Sequence, residues 1–356
     1  MNITIVLGDK IPSIKYGGTQ RVMWYLGKEL NKRGHKVTFI AGKGSSCPFA
    51  KVIELDPSVN LNTQIPTDAD IVHFNIPVPE GITKPHLLTI HGNGIPANAD
   101  RNIVFVSRNH AQRLGSESFV YNGLDWDDYG PANLTLSRKN YHFLGKAAWK
   151  VKNIKGAIAV VQSIKNAQLD VLGGYRLNLK MGFRFTWNPR IHFHGMVDDS
   201  KKKVIIEQSK GLIFPVTWHE PFGLAITESL YFGAPVFGTP YGALPELVSP
   251  EVGFLTAHGQ EMAEHIQSAQ YSPKVCHEYA RDLFNSSVMA EAYLKKYETV
   301  LNGEPLNKEV PHIIDIARRL PWDYKWQLNY IADEYNLIYK AFHSFNKRTK
   351  MIENTL

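Results

Sequence analysis

The chain has 356 residues, a formal net charge of +7 and a hydrophobic content of 44%, which is the composition of a globular protein of about two domains. No stretch approaches 18 consecutive apolar residues, so no membrane-spanning helix is expected. The only two cysteines, Cys47 and Cys276, exclude a disulfide framework and a four-cysteine zinc site and favour a reducing, cytoplasmic location.

Short apolar runs alternate with helical patterns through the first part of the chain. Val22, Leu26 and Leu30, at a spacing of four, predict a helix that ends at Arg33-Gly34. A strand, a glycine-rich loop, a helix and a second strand in this order are typical of a parallel sheet. The runs that predict buried strands here are 3–8, 36–41, 70–75, 86–91, 102–107 and 118–122.

The same alternation begins again after a turn-rich stretch at 122–135, which indicates two successive Rossmann-like halves and an α/β fold class. The N-terminal MNITIVLGDK lacks the basic and apolar regions of a signal peptide, so none is expected. The runs that predict the second set of strands are 140–145, 169–174, 190–195, 211–215, 234–238 and 253–256, with helices at 154–166, 200–210 and 224–232.

The composition changes after Leu301. Residues 302–311 have the composition of a linker, and an aromatic segment follows that ends in the basic stretch 343–350. We predict a helix that packs back over the domains, and attachment to a membrane surface is the alternative. The aromatic residues of this tail are Trp322, Tyr324, Trp326, Tyr330 and Tyr335.

Two loops in the first half carry candidate ligand contacts, because parallel sheets bind ligands beyond the carboxyl ends of their strands. Gly17-Gly18 in YGGTQR precedes the first helix, where glycine allows a phosphate to approach the backbone, although a tight turn would look the same. His91 in TIHGNG ends a strand, as a hydrogen-bonding group for a hydroxyl or as a structural histidine. The glycine loop is not G-x-G-x-x-G and does not support a nicotinamide site.

Four lysines mark the loop that opens the second half, in FLGKAAWKVKNIKG: Lys146, Lys150, Lys152 and Lys155. Their place between a strand and a helix suits the neutralisation of a diphosphate. A solvated helix start with scattered lysines is the alternative. The net charge as a whole is compatible with a phosphorylated ligand, an anionic membrane surface or merely a basic protein. The sequence lacks the stripe of basic and aromatic residues that is typical of a nucleic-acid-binding protein.

Two glutamates flank a turn in TWHEPFGLAITESLYFGAPV, residues 217–236. Glu220 follows a strand, and Glu228 falls in the early turns of the predicted helix after Gly223. Carboxylates accept hydrogen bonds from polyol hydroxyls, so the pair fits a ribose and a hexose, with lysines on the phosphates between them. Asp68 and Asp70 mimic a metal motif but are better explained as a turn before a strand.

The pattern H-E-P-F-G-L-x-x-x-E, followed by FGAPV and GALPELV, resembles the signature of the large retaining glycosyltransferase family of group 1, or family 4, type. The GGTQRVMWYLGKELNKRGHKVTFIAG, FVYNGLD and NSSVMAEAYLKKYETVL segments are also similar to that family, so the resemblance covers residues 1–301. It implies the GT-B architecture, in which two Rossmann-like domains face each other across a cleft. The implied domains are an acceptor-side domain at 1–130, a nucleotide-sugar domain at 131–301 and a helical extension at 302–356.

The resemblance also implies roles for individual residues. Glu220 would contact the donor sugar, Glu228 would accept from the ribose hydroxyls, and His91 would lie over the sugar. Lys146 stands where the family usually has an arginine, and a lysine lacks the bidentate fork of that side chain. Lys152 is the expected second cation, with Lys155 as its close rival. The other implied donor contacts are Gly17, Gly18, Asn122, His219, Phe222, Gly223 and Leu224.

The implied reaction transfers a hexose from a nucleoside diphosphate to a hydroxyl of a glycan or glycolipid, with retention and without a metal or other cofactor. A UDP-sugar is preferred over GDP-mannose, and the expected setting is bacterial surface polysaccharide synthesis. No nucleic-acid partner is expected, and the protein would be cytoplasmic with weak association at the inner face of the membrane. The alternatives are a nucleotide-sugar epimerase, a Rossmann dehydrogenase and a binding module without activity.

Overall fold

The computed structural model describes residues 1–13, 17–179, 181, 183–315 and 319–323. These residues form two six-stranded parallel sheets, each accompanied by helices, together with one small two-stranded sheet. The predicted α/β class with two Rossmann-like halves is therefore confirmed. Among the described residues, no helix has both the length and the apolar character needed to cross a membrane.

The first sheet has the strand order β3-β2-β1-β4-β5-β6. Its central strands are buried on both faces, as parallel strands covered by helices must be. The elements of this half are β1 (Asn2–Val6), α1 (Gly18–Lys32), β2 (Lys36–Ala41), β3 (Lys51–Glu54), α2 (Leu61–Gln64), β4 (Ile71–Phe74), β5 (His86–Ile90), β6 (Ile103–Phe105), α3 (Arg108–Arg113) and α4 (Trp126–Tyr129).

The second sheet repeats this topology with the order β11-β8-β7-β12-β13-β14. A hairpin made of β9 and β10 interrupts the repeat. The elements of this half are β7 (Asn140–Leu144), α5 (Ile154–Ser163), β8 (Leu169–Leu172), β9 (Leu177–Asn178), β10 (Arg184–Phe185), β11 (Ile191–Phe193), α6 (Asp199–Glu207), β12 (Ser209–Phe214), α7 (Leu224–Tyr231), β13 (Val236–Gly238), α8 (Leu244–Leu247), β14 (Gly253–Leu255), α9 (Gly259–Ser268), α10 (Pro273–Leu283) and α11 (Ser286–Leu301).

The order of the strands places a crevice in each half. All strands are parallel, and the order in which they are added along the sheet reverses between β1 and β4 in the first sheet and between β7 and β12 in the second. Crossovers on either side of such a point run to opposite faces and leave a gap beyond the carboxyl ends of the strands. The loops singled out in the sequence follow β1, β5, β7 and β12, and so belong to these edges.

Three segments differ from the predicted strands. The run 118–122 is not a strand but a single bridge from Phe119 to Phe105, because the chain turns away to bond the α10–α11 connection through Leu124. β3 and the β9–β10 hairpin were not predicted. Both are short, and neither has the continuous apolar run on which the strand predictions depend.

Helix α11 packs against the first sheet, although the sequence placed it at the end of the second domain. Tyr293 and Tyr297 of α11 are fully buried in the core of the first half. Their hydroxyl groups reach Thr89 at 3.0 Å and His73 Nδ1 at 2.8 Å. Helix α11 therefore ties the two halves together, and the domain boundaries at 130 and 301 stay predictions.

The described residues beyond Leu301, at 302–315 and 319–323, contact both halves. Asn307 is buried and donates to the carbonyl groups of Arg101 and Ile103 in the first half. Leu320 N–H donates to Thr217 O in the second half, at 2.8 Å. The tail residues Tyr324, Trp326, Tyr330 and Tyr335 and the basic stretch 343–350, on which the predicted helical extension depends, lie outside the described residues.

Candidate active site

A cavity of about 390 Å³ lies between the two halves, at the carboxyl ends of both sets of strands. The first half lines it with the loop after β1, the loop after β5 and Asn122. The second half contributes the loops after β7, β8 and β12 and the start of α7. Loops that are far apart in the sequence therefore meet in one place, as the strand order requires.

Glu220 lies in the wall that the second half contributes. It follows β12 and is only 6% exposed. Its Oε2 accepts from Lys152 Nζ at 2.5 Å and from Trp218 Nε1 at 2.8 Å. A buried carboxylate is tolerated only with such charged and hydrogen-bonding partners. The lysine also lies over the rings of Phe214 and Trp218, at 5.2 Å and 5.1 Å from their centroids.

The GALPELV segment holds the backbone of Glu220 in place. Ala243 N–H donates to Glu220 O at 2.9 Å. Gly242 has a φ of +62°, and a Cβ at this position would overlap the backbone N and O of Glu220. Only glycine allows this left-handed conformation together with such a close approach. The two segments that the resemblance linked by sequence are thus in direct contact.

Glu228 lies one helical turn into α7 and is also 6% exposed. Its Oε1 accepts from Lys202 Nζ at 2.5 Å and from Tyr129 OH at 2.6 Å. Both contacts fall on the same oxygen, and the residue lines the cavity. The cavity is therefore bordered by two buried carboxylates, each with its own lysine.

The N-terminus of α7 faces the cavity between the two carboxylates. Gly223 precedes the helix with a φ of +95°, and no side chain caps the first turn. Phe222, Gly223 and Leu224 all line the cavity, and their contact with a donor stays a prediction. Free N–H groups and the positive end of the helix dipole make this position attractive to sugar or phosphate oxygens.

The first half supplies Gly17, Gly18, His91 and Asn122 to the opposite wall. His91 Nε2 lies 2.9 Å from Asn75 Oδ1, and burial lowers the pKa of His91 to about 3. The ring is therefore neutral at neutral pH, with one nitrogen that donates a hydrogen bond and one that accepts. Within the described residues, the buried Oδ1 of Asn122 has no hydrogen-bond partner, which is consistent with a ligand contact there.

The lysines of the β7–α5 loop separate in space. Lys152 lines the cavity, whereas Lys155 is exposed and lines a different cavity on the far side of the loop. A short 3-10 turn at Lys150–Lys152 followed by the left-handed Asn153 directs these two side chains to opposite sides. Lys146 is exposed and lies 5.2 Å from the ring centroid of Trp149, so it is at the rim rather than in the lining.

His219 also lies outside the lining. Its Nε2 is 3.0 Å from Asp315 Oδ2, and its carbonyl oxygen accepts from Asn93 Nδ2 at 2.8 Å. Arg113 donates to Asn93 Oδ1 at 3.1 Å and to Asp315 O at 2.9 Å. Burial lowers the pKa of His219, with Arg113 acting in the same direction and Asp315 opposing it. The histidine before Glu220 therefore joins the two halves instead of facing the cavity.

The structure adds four residues that the sequence interpretation did not name. Arg21 on α1 lines the cavity and pairs with Asp199 of the second half at 2.7 Å. The remaining three are Tyr129, Lys202 and Trp218, which are the partners of the two glutamates. One signal for Lys202 was available, because it lies four residues before Ile206, which is apolar and buried, on the inward face of α6.

Comparison with known proteins agrees with this geometry. Residues 133–282 match the family model of the group 1 glycosyl transferases. An uncharacterized 42.6 kDa protein in the cps region of Klebsiella pneumoniae is 31% identical over 104 residues, which are 29% of this chain and 25% of that protein. The matched part is thus about a quarter of the length of this relative.

Solved structures show the fold over most of the chain. AviGT4, a glycosyltransferase involved in avilamycin A biosynthesis, superposes with a TM-score of 0.69 at 20% identity, covering 84% of this chain and 98% of AviGT4. HepE of Anabaena, solved in complex with UDP, superposes with a TM-score of 0.60 at 16% identity, covering 84% of this chain and all of HepE. The chain therefore has the GT-B fold, and its residues 133–282 are similar to the group 1 glycosyl transferases.

Proposed function

We propose that this protein is a retaining glycosyltransferase that moves a hexose from a nucleoside-diphosphate sugar to a hydroxyl of a glycan or glycolipid. The observation that carries the proposal is the pair of buried carboxylates, Glu220 and Glu228, on either side of the α7 N-terminus in one cavity. Two acceptors of this kind suit two polyols, and the positive helix end between them suits the diphosphate that joins a ribose to a hexose.

Each residue has a distinct part in the proposed complex. Glu228 accepts from the ribose hydroxyls, while its bonds from Lys202 and Tyr129 hold the other carboxylate oxygen in place. Glu220 accepts from the hexose, and Lys152 is close enough to this carboxylate to bring positive charge to the reacting end. Asn122, Gly17 and Gly18 close the opposite wall on the phosphate side.

In the proposed reaction the bond from the anomeric carbon to the diphosphate oxygen breaks, and a bond to the acceptor oxygen forms on the same face. The proton of the acceptor hydroxyl passes to the departing diphosphate. Negative charge grows on that group, and Lys152 and the N–H groups at Phe222, Gly223 and Leu224 stabilise it. Neutral His91 orients a hydroxyl of the hexose or the acceptor. This scheme obtains its positive charge from the protein and assigns no step to a metal.

The donor that we propose is a UDP-sugar in preference to GDP-mannose. HepE, which shares the fold, has been solved with UDP and also with UDP-glucose. The relative encoded in a cps region supports an acceptor in bacterial surface polysaccharide synthesis. We further propose that the protein works in the cytoplasm, in weak contact with the inner face of the membrane.

The test is a panel of UDP- and GDP-sugars, each incubated with and without a glycan or glycolipid acceptor. Nucleotide release that depends on the acceptor, with retention of the anomeric configuration by NMR, is the expected result. Isomerised donor in the absence of acceptor would instead identify an epimerase, and binding without turnover would identify a binding module. Thermal shift with UDP and GDP checks the base independently, because ligand that binds the native state raises the midpoint. Glu228→Gln should reduce that shift.

A further inference from the structure

The β9–β10 hairpin, residues 175–189, forms a small sheet of its own. Its two strands pair only with each other among the described residues, and they are not part of either six-stranded sheet. An isolated two-stranded hairpin is marginally stable in water. The face that such a hairpin turns to the solvent is normally polar. This hairpin has the opposite arrangement.

Every odd-numbered residue from Tyr175 to Phe185, together with Trp187, is apolar or aromatic and exposed. The most exposed side chains are Leu179 at 71%, Phe183 at 67% and Tyr175 at 64%. Leu177 and Phe185 are directly opposed in the two strands and therefore share one face. Together with the exposed apolar residues that precede, connect and follow the strands, they make up what we call the outer face. The seven members of this outer face are Tyr175, Leu177, Leu179, Met181, Phe183, Phe185 and Trp187.

The even-numbered arginines point toward the protein. Arg184 is buried, lies 4.9 Å from the ring centroid of Phe193 and donates to Tyr175 O at 2.9 Å. Arg176 donates to the carbonyl groups of Thr186, Asn188 and Ile191. The two arginines thus hold the hairpin against the domain, and the apolar face points outward. An exposed apolar face of this kind is unusual for a surface that contacts only water.

The positive charge of the protein is concentrated in the same region. Residues 129–197 hold eleven lysines and arginines against one acidic residue, Asp170, whereas the rest of the chain is net acidic. A second cavity, of about 250 Å³, lies beside the hairpin and is bordered by Met181 and Phe183. Lys150, Lys155, Arg184 and Arg319 also line it, and no residue of its lining is acidic.

We propose that the outer face of the hairpin inserts into an anionic lipid bilayer and that this cationic cavity faces the lipid phosphates. The order of the side chains supports a membrane as the occupant. Leu179, Met181 and Phe183 occupy the turn, while Tyr175 and Trp187 lie at the base of the hairpin. Aliphatic tips with Tyr and Trp at the headgroup level are the pattern of interfacial segments, and nearby cations add attraction to anionic lipid.

Two other occupants fit less well. A single-stranded nucleic acid would need arginines free to lie beside the aromatic faces, but Arg176 and Arg184 donate to backbone carbonyl groups, and the turn presents the aliphatic Leu179 and Met181 beside Phe183. In a dimer formed through this face, the cationic region of one copy would lie against the same region of the other, and repulsion between like charges would oppose the association. The inference rests on the proposed function for its biological role: lipid binding would place the proposed active site next to a lipid-linked acceptor. The binding itself can be tested without that function.

The test is cosedimentation of the full chain with vesicles, without donor or acceptor. We expect binding to vesicles of about one third phosphatidylglycerol, weaker binding to pure phosphatidylcholine, and loss of binding at high salt. Leu179→Ser/Phe183→Ser should weaken the partition roughly tenfold or more. The matched control, Leu283→Ser/Val288→Ser, removes two exposed apolar side chains elsewhere and should bind as the native chain does.

The hairpin variant should keep the native thermal midpoint and full transfer to a water-soluble acceptor, so failure of the lipid site and failure of the proposed activity are separable. Equal binding by the hairpin variant and the native chain would overturn the inference, and so would no binding by the native chain. A dimer that the hairpin variant converts to a monomer would assign the face to a second copy instead. Binding of an oligonucleotide that the same variant abolishes would assign it to nucleic acid.

Discussion

Lys152 Nζ lies 2.5 Å from Glu220 Oε2, and both side chains are buried at the cavity. The lysine comes from the loop after β7 and the glutamate from the loop after β12, which are central neighbours in the second sheet. The pair therefore forms only when the sheet has assembled. It neutralises a charge that could not otherwise be buried, and it leaves that charge next to the proposed reacting group.

Breaking this pair from either side should cost stability, and removing both members should restore part of it. Lys152→Met leaves Glu220 buried without its counter-charge and should lower the free energy of unfolding by roughly 3–5 kcal/mol. Lys152→Met/Glu220→Gln should be more stable than Lys152→Met, as measured by denaturant unfolding. All three variants, including Glu220→Gln, should lose at least about a hundredfold in kcat. Strict additivity of the unfolding free energies would contradict the coupling.

Lys202 should act as a positioning residue for Glu228. Lys202→Met removes the bond that holds Oε1 and should raise the Kd for the nucleotide roughly tenfold, measured by calorimetry. Lys201→Met is the matched control, because Lys201 is the preceding lysine of the same run and is exposed. It should leave the Kd unchanged. If the two variants weaken binding equally, the effect is one of net charge and not of the contact with Glu228.

Gly242→Ala should disable the site from a distance. The new Cβ would overlap the backbone of Glu220, so the loop must move and carry the carboxylate with it. We expect a loss of at least about a hundredfold in kcat, since misplacement by about 1 Å is enough for that. Gly303→Ala has a similar positive φ, +80°, but no neighbour within 4 Å of the new atom. This control should be strained by a similar amount, with nearly normal transfer by the properly folded fraction.

Stability should decrease below neutral pH because of buried neutral histidines. Burial lowers the pKa of His142 to about 3, with Arg138 contributing, while its ring nitrogens bond the hydroxyl groups of Ser209 and Ser229. Between pH 6.5 and about 3 the unfolded chain binds a proton at this residue and the folded chain does not, so the free energy of unfolding rises with pH. One such histidine contributes roughly 1.4 kcal/mol per pH unit in that range.

Denaturant unfolding at a series of pH values tests this slope. His142→Gln keeps groups that can bond both serine hydroxyls but cannot be protonated, so its unfolding free energy should depend less on pH below about 6.5. His192→Gln changes a histidine that lies near the surface, whose Nε2 bonds Gln168 at 3.1 Å, and serves as the control. A slope in His142→Gln as steep as that of the native chain would contradict the assignment.

The sequence alone determined the class of fold and the loops that build the site. The apolar runs and their spacing are local properties, so they predicted both parallel sheets. They also placed the two glutamates of the motif on either side of the turn before α7. The same stretch of sequence also predicted that the helix begins after Gly223, and the backbone of Gly223 is left-handed at that point.

Only the tertiary structure decided which cations serve those carboxylates. Lys150, Lys152 and Lys155 look alike in sequence, as do the lysines at 201–203, because a lysine carries no local signal of the direction in which it points. The short turn before Asn153 and the inward face of α6 select Lys152 and Lys202, whose glutamate partners lie 68 and 26 residues away. The exposed face of the hairpin was equally hidden, because the sequence analysis did not predict the hairpin, and only the structure shows that its apolar side chains are exposed.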